Sequence, residues 1–133
     1  MQFITRNLRF FFVFKIFIMC SSVVYSDPFD SCPNEAFLIQ DTIARIYGVN
    51  LATGRYDELS DSMGTSGKIN AIGFNIYDSY IYGYGSEFGT IVKIGSDYTT
   101  TSLNISGLPS TSFYVGDVSL QDNSYYMLSL IHI

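Results

Sequence analysis

Hydrophobic and polar positions alternate through the middle of the chain. Apolar side chains recur at every second position, as at Ile72, Phe74 and Ile76, which is the period of a β-strand. Turn-forming segments interrupt the alternation. One of them, Tyr77-Asp78-Ser79, contains the Asp and Ser side chains that hold tight reversals. The pattern therefore predicts a four-stranded antiparallel sheet around residues 69–105 and no helix outside the first 26 residues.

This pattern recurs along the chain. Ile46-Tyr47-Gly48 matches Ile81-Tyr82-Gly83 at an offset of 35 residues, and Gly116 follows Gly73 at an offset of 43. The alternative is a chance match, because Tyr and Gly are common here. Repeats of roughly 40–50 residues made of short strands are typical of β-propeller blades.

We therefore expect an all-β fold, an incomplete β-propeller of antiparallel sheets. It would contain about two blades and part of a third, within a domain over residues 27–127. The blades are expected at residues 36–62, at residues 69–105 and from residue 113 onward. Apolar residues occur on both faces of these strands, which suits sheets packed between neighbours.

Residues 1–26 have the features of a secretory signal peptide. Arg6 and Arg9 precede an apolar segment over residues 10–19, and Val24-Tyr25-Ser26 offers a small-residue cleavage site. The alternatives are an uncleaved anchor and a lipoprotein signal, but the apolar segment is short of the roughly 20 residues of a membrane span. We expect a helical segment, detached from the sheets and cleaved after Ser26. The protein would then be secreted or extracytoplasmic, either periplasmic or at the cell surface, and not attached to a membrane.

Removal of this segment leaves an acidic chain with one cysteine. Four basic residues then face all 12 acidic ones, for a net charge of −8, which disfavours nucleic acid and acidic lipid as partners. Cys32 is left without a second cysteine. An odd cysteine in an exported chain is reactive, intermolecular or separated from its partner, and we expect the last of these.

Four segments of the chain resemble a known family. They are DPFDSCPNEAFLIQ, IARIYGVNLATGRY, NAIGFNIYDSYIYGY and SFYVGDV, and together they span nearly all of residues 27–127. They are similar to the DUF6923 family, an exported domain of unknown function. The resemblance implies a β-propeller-like fold and provides no catalytic residues. Family members continue through further blades, whereas residues 128–133 (LSLIHI) do not continue the family pattern. We expect those six residues to be a non-native tail, similar to a translated adapter sequence, on an N-terminal fragment.

Catalytic and metal-binding patterns are weak. The single histidine is His132, so a Ser-His-Asp or Cys-His arrangement has no credible base. Asp57, Glu58 and Asp61 cluster in the sequence, but such residues are usually solvated. Asp117 is one carboxylate, and a calcium site needs 6–8 oxygens. We expect no catalytic, metal-binding or cofactor-binding residues and no bound cofactor.

Two binding features have alternative interpretations. Asn104-Ile105-Ser106 is a glycosylation sequon, which has no meaning in a bacterial protein. The stripe of Tyr80, Tyr82 and Tyr84 is the kind that lines a sugar-binding surface. At strand spacing, packing between neighbouring blades is the favoured interpretation, because aromatic side chains bury large areas.

The sequence favours a binding or scaffold module of a larger secreted or surface protein, with recognition carried by loops on a rigid scaffold. Its ligand or protein partner is unknown. The alternative is an N-terminal fragment of an exported propeller enzyme, either a hydrolase or a quinone-dependent dehydrogenase. A cluster of inward-facing His, Asp, Glu or Arg residues repeated over several blades would favour the enzyme.

Overall fold

The computed structural model describes residues 25–86 and 89–129, and all of its regular secondary structure is β-strand. Nine strands form three antiparallel sheets. Sheet 1 has the order β1 (Ala36–Gln40), β2 (Arg45–Val49), β3 (Tyr56–Ser60). Sheet 2 has the order β4 (Ile69–Asn75), β5 (Tyr80–Gly85), β6 (Thr90–Ile94), β7 (Thr100–Leu103). Sheet 3 pairs β8 (Val115–Val118) with β9 (Tyr125–Leu128).

This architecture confirms the predicted all-β class and the four-stranded sheet. In the two described segments no helix is long and apolar enough to cross a membrane. The predicted signal helix falls on residues 1–24, which lie outside the described residues.

Short polar side chains close the hairpins. In the turn between β4 and β5, Asn75 Oδ1 accepts a hydrogen bond from the backbone N–H of Tyr77 at 2.9 Å, and Ser79 adopts a left-handed φ of 58°. In the turn between β2 and β3, Asn50 Oδ1 accepts hydrogen bonds from the backbone N–H groups of Ala52 and Thr53. These local bonds satisfy backbone donors that the strands leave unpaired.

A first hydrophobic core lies between sheets 1 and 2. Its buried members are Ala44, Ile46, Met63, Ile69, Ile81, Val92 and Ile94. Phe29, which precedes β1, packs between the two sheets, with its ring centroid 6.1 Å from those of Phe37 and Phe74 and 6.0 Å from that of Tyr98. Phe37 of sheet 1 also contacts Tyr98 of sheet 2, with ring centroids 6.2 Å apart.

Equivalent residues of sheets 1 and 2 line this one core. In both sheets the first hairpin has a four-residue turn, which joins Gln40 to Arg45 in sheet 1 and Asn75 to Tyr80 in sheet 2. The 35-residue offset therefore makes Ile46 the equivalent of Ile81, and both belong to the first core. Rotationally related blades would place such equivalents at successive interfaces instead. The propeller stays a prediction.

A second core lies between the opposite face of sheet 2 and sheet 3. It contains Ala71, Tyr84, Ile91 and Phe113, with the rings of Tyr84 and Phe113 5.2 Å apart. The backbones approach closely here. An added Cβ on Gly73 would lie 2.7 Å from Asp117 Cα, and one on Gly116 would lie 2.7 Å from the Ala71 carbonyl carbon. Only glycine fits at such a contact.

The N-terminal segment before β1 is tied to sheet 2. Ser26 Oγ–H donates to the Asp97 carboxylate, the Tyr80 hydroxyl donates to the Ser26 carbonyl oxygen at 3.0 Å, and Ser96 N–H donates to the Asp27 carbonyl oxygen at 2.8 Å. The prediction that residues up to Ser26 are detached from the sheets is therefore wrong for Ser26, which is buried. Its side chain bonds to the turn that follows β6, and its carbonyl oxygen bonds to Tyr80 of β5.

At the other end, Leu128 is the last residue of β9 and pairs with Val115. Ser129 is buried, and its hydroxyl lies 3.3 Å from that of Thr111. Of the predicted non-native tail, Leu128 thus belongs to sheet 3, and Ser129 follows it directly. Residues 130–133 lie outside the described residues.

Candidate binding face

No described residue of the chain covers the side of sheet 1 that faces away from the first core. We call it the open face. Six side chains line a shallow trough of about 650 Å³ on it. They are Leu38, Gln40, Tyr47, Val49, Tyr56 and Glu58.

The alternation of the strands produces this face. Side chains of successive residues point to opposite sides of a sheet, so Ile46 enters the first core and Tyr47 points outward. Leu38, Tyr47 and Glu58 form one row across the three strands, because Tyr47 pairs with Leu38 on β1 and with Glu58 on β3. Val49 and Tyr56 are paired in the neighbouring row.

Two tyrosines give the trough its aromatic surface. The rings of Tyr47 and Tyr56 are edge to face, with centroids 6.1 Å apart and planes at 79°, an arrangement that aromatic pairs prefer. Tyr56 nevertheless remains 69% exposed and Leu38 43% exposed. A paired aromatic surface of this kind is fixed in shape but still accessible to a partner.

One cation and one carboxylate border the aromatic surface. Arg45 Nη1 donates to Glu58 Oε2 at 3.4 Å, and Arg45 Nε lies 3.8 Å from a carboxylate oxygen of Asp41. The hydroxyl of Tyr47 and the carboxylate of Glu58 raise the pKa of Arg45 above its ordinary value. Exposed ion pairs of this kind add little to stability, so these charges are available to a partner.

The open face is equivalent to a face that is covered in sheet 2. Tyr47 and Val49 have the positions of Tyr82 and Tyr84, 35 residues later in the sequence. In sheet 2 these tyrosines pack against sheet 3, where Tyr82 contacts Tyr125 and Tyr84 is only 4% exposed. The same position of the repeat thus lies at a sheet-to-sheet interface in one sheet and on the surface in the other.

The tyrosine stripe of β5 is a packing surface. The Tyr84 hydroxyl donates to the Thr111 carbonyl oxygen at 2.8 Å, and the Tyr82 hydroxyl donates to Asp78 at 2.6 Å. Lys93 Nζ lies 3.9 Å from the ring centroid of Tyr80. Tyr82 and Tyr84 thus pack against sheet 3 and the segment before it, whereas Tyr80 packs within sheet 2 against Lys93.

The three clustered carboxylates do not form a paired acid site. Asp57 and Glu58 are consecutive residues of β3 and therefore point to opposite sides of sheet 1, and Asp61 lies in the following loop. All three are exposed. Asp117 is exposed on β8, and its Oδ1 accepts a hydrogen bond from the N–H of Val118 at 2.8 Å.

The remaining residues that the sequence analysis named do not lie together in one site. Asn104 is exposed after β7 and borders a groove with Gly89 and Thr90. Cys32 is exposed and is not disulfide-bonded, and His132 lies outside the described residues. Within residues 25–86 and 89–129, no group of three or more His, Cys, Asp or Glu side chains is arranged to hold a metal ion.

Sequence reasoning missed the open face itself. Its signal was present in the 35-residue offset, which aligns Tyr47 with Tyr82. Alternation shows that Tyr47 and Ile46 point to opposite sides. It does not show which of two apolar sides is covered.

A family model described as a repeat of unknown function (DUF6923) matches residues 37–130. The match begins in β1 and passes through all three sheets, and it includes Leu128 and Ser129. Neither a curated protein nor a solved structure matches the chain.

Proposed function

Because the chain belongs to the DUF6923 family of repeats, we propose that it is an exported binding or scaffold module that docks a further β-sheet on its open face. In this proposal residues 1–26 direct export. The repeated sheets form the scaffold, and the partner packs on Leu38, Tyr47 and Tyr56.

One observation carries the docking proposal. The open face presents the same repeat positions that sheet 2 uses to pack against sheet 3, yet Tyr56 is 69% exposed whereas its equivalent Ile91 is 5% exposed. A repeat unit buries its apolar faces by stacking against neighbours. A further sheet of similar composition would cover the open face, but at a larger distance between backbones than sheet 3 has from sheet 2, because Leu38 has the position of Gly73.

The export proposal is supported by the sequence of the first 26 residues. Their basic start, apolar middle and small-residue end form the pattern of a signal peptide. Fusion of the chain to a reporter enzyme provides the test. We expect to find the reporter outside the cytoplasm, and we expect it to remain in the cytoplasm when residues 1–26 are deleted. Equal export of both fusions would contradict the proposal.

We further propose that the scaffold continues through additional repeats. In a propeller, those repeats would place equivalent residues of neighbouring sheets at successive interfaces. Ile46 and Ile81 are equivalent residues of sheets 1 and 2, and they lie in the same core instead. This sharing favours a scaffold in which sheets are stacked in alternating orientation.

Site-specific photo-crosslinking tests docking on the open face. A benzophenone side chain at Tyr56 probes the face, and the matched control is the same side chain at Leu51, which is 81% exposed in the turn between β2 and β3. In the native host, we expect an adduct from position 56 and none from position 51. An adduct from position 51 alone would assign recognition to the loops, and the absence of any adduct from position 56 would contradict docking on this face.

A further inference from the structure

The open face is self-complementary in charge. Its centre is aromatic and apolar, and its border has a cation, Arg45, next to a carboxylate, Glu58. When two such faces are related by a two-fold axis, each surface patch meets its own copy, and any contact between two residues occurs twice. Arg45 of one copy then meets Glu58 of the other, while the tyrosines of both copies meet at the centre.

The molecule already contains a contact of this type. Sheets 2 and 3 pack through faces that are equivalent in the repeat, because Gly73 and Gly116, 43 residues apart, meet at their interface. The side of β5 that carries Tyr82 faces the side of β9 that carries Tyr125. Like faces therefore cover like faces in this fold. The open face of sheet 1 is equivalent to the covered face of sheet 2, with Leu38 at the position of Gly73.

From these observations we propose that the partner of the open face is a second copy of this chain, in a two-fold symmetric dimer. The inference rests on the proposed function, because it names the sheet that docks there. Leu38, Tyr47, Val49 and Tyr56 would form the apolar centre of the dimer. Two reciprocal ion pairs between Arg45 and Glu58 of opposite copies would fix its register.

The size of the face sets the expected affinity. Three strands of five residues each cover roughly 16 by 14 Å. This footprint of about 220 Å² per copy is well below the roughly 800 Å² that a standard interface buries on each partner. The dimer should therefore be weak and dissociate at about 100 μM to 1 mM, and it should form best at moderate ionic strength, which screens the repulsion between two acidic chains.

Charge reversal with rescue tests the two-fold geometry. Arg45→Glu and Glu58→Arg are each expected to weaken self-association by about tenfold or more, because each places like charges together across the axis. When the two variants are mixed, every pair across the interface again has opposite charges. We therefore expect the mixture to form a heterodimer with near wild-type affinity.

Sedimentation equilibrium of the purified exported chain measures these affinities, and circular dichroism confirms that each variant is folded. The control is Tyr126→Glu, at a side chain that is 60% exposed on sheet 3, and it should not change the dissociation constant. A wild-type chain that stays monomeric overturns the inference. So does a mixture of the two charge variants that fails to associate, or equal weakening by Tyr126→Glu.

The crosslinking experiment separates this inference from the proposed function. An adduct from position 56 with twice the mass of the chain supports both. An adduct of any other mass overturns the dimer and keeps docking on the open face. No adduct from position 56 overturns both.

Discussion

Ile46 and Ile81 have equivalent positions in neighbouring sheets, and both contribute to the core between those sheets. A rotation between successive sheets would separate them, since each would then point toward a different neighbour. A two-fold relation brings them together. The described part of the chain therefore stacks its sheets through like faces.

The shared core predicts coupling between these two residues. Ile46→Ala and Ile81→Ala should each lower the free energy of unfolding by about 2–5 kcal/mol, because both side chains are buried. The double variant should deviate from additivity by about 0.5 kcal/mol or more. Urea unfolding followed by tyrosine fluorescence measures these values.

The control pair for that cycle combines Ile46→Ala with Ile91→Ala. Ile91 is equally well buried but belongs to the second core. These two changes should be additive within about 0.3–0.5 kcal/mol. Equal coupling in both pairs would show that the two cores are not separate.

The close contact between sheets 2 and 3 predicts a steric cost at Gly73. An added methyl group would lie 2.7 Å from the Cα of Asp117 and 3.0 Å from its carbonyl carbon, and backbone atoms cannot move aside cheaply. Gly73→Ala should lower the free energy of unfolding by about 1–3 kcal/mol.

A matched glycine in the same sheet serves as the control for this substitution. At Gly85, an added methyl group would meet the ends of the Val92 and Thr90 side chains at 3.3 and 3.4 Å, and the Thr90 carbonyl oxygen at 3.6 Å, an ordinary van der Waals distance. Gly85→Ala should therefore cost less than Gly73→Ala. Thermal unfolding compares the two, and a larger loss at Gly85 would mean that sheet 3 does not lie against Gly73.

The tyrosines between sheets 2 and 3 predict loss of stability at alkaline pH. Burial, and then the hydrogen bond to Asp78, raise the pKa of Tyr82 well above its ordinary value of 10.0, and burial does the same for the pKa of Tyr125. A group whose pKa is raised in the folded state stabilises that state fully when the pH is below the ordinary pKa of the group. This contribution is lost as the pH rises above that ordinary pKa. The free energy of unfolding should therefore fall above about pH 10.

Denaturant titrations at pH 8, 10 and 11 measure this slope. Tyr82→Phe should make it shallower, because one of the two ionising groups is gone. Asp78→Asn should change it in the same direction by less, since it removes the charge and keeps an acceptor. A slope that Tyr82→Phe leaves unchanged would assign the alkaline loss to other groups.

The hydrogen bond between Ser26 and Asp97 predicts that the attachment of the N-terminal segment to sheet 2 is sensitive to acid. Partial burial opposes the shift, but hydrogen bonds from Ser26 and Thr99 lower the pKa of Asp97 below its ordinary value of 3.8. A group whose pKa is lowered in the folded state stabilises that state when the pH is above the ordinary pKa of the group. This contribution is lost as the pH falls below that ordinary pKa. Residues 25–29 should therefore loosen in acid.

Hydrogen exchange at the Phe29 and Ser96 amides, which donate to Ser79 and Asp27, reports this loosening. At neutral pH, Asp97→Asn should reduce the protection of both amides in protein that retains Ser26. Cleavage after Ser26 should have the same effect on the wild type. Unchanged protection in both cases would show that Phe29 alone holds the segment.

Alternation and turn chemistry predicted most of the strands, because both are local. β1 begins at residue 36, where the first blade was expected to begin, and the turn at Asp78-Ser79 lies between β4 and β5 as expected. Local reasoning failed where backbone conformation was set by packing. Tyr98 lies inside the region predicted to form the four-stranded sheet, but its φ of 59° places it in a turn before β7. Its ring packs on Phe29 and Phe37 instead.

The candidate site was not predictable in the same way. Ile46 and Tyr47 are consecutive and both apolar, so sequence alone does not decide which one enters the core. That choice depends on Phe29, Phe74 and Tyr98, which are distant in the sequence and meet only in the folded chain. An irregularity in β4 was equally hidden, since Ala71 takes a φ of 52° without being a glycine.

When sheets pack through like faces, the face exposed at the end of the stack depends on whether the number of sheets is odd or even. A chain that gains or loses one sheet exposes the other kind of face at that end, whereas a chain that gains or loses two sheets exposes the same kind as before. Duplications of a single unit would therefore leave a newly mismatched end, and duplications of paired units would not. We expect chains that share this arrangement to differ in length by even numbers of sheets, so the heritable unit of growth would be a pair of repeats.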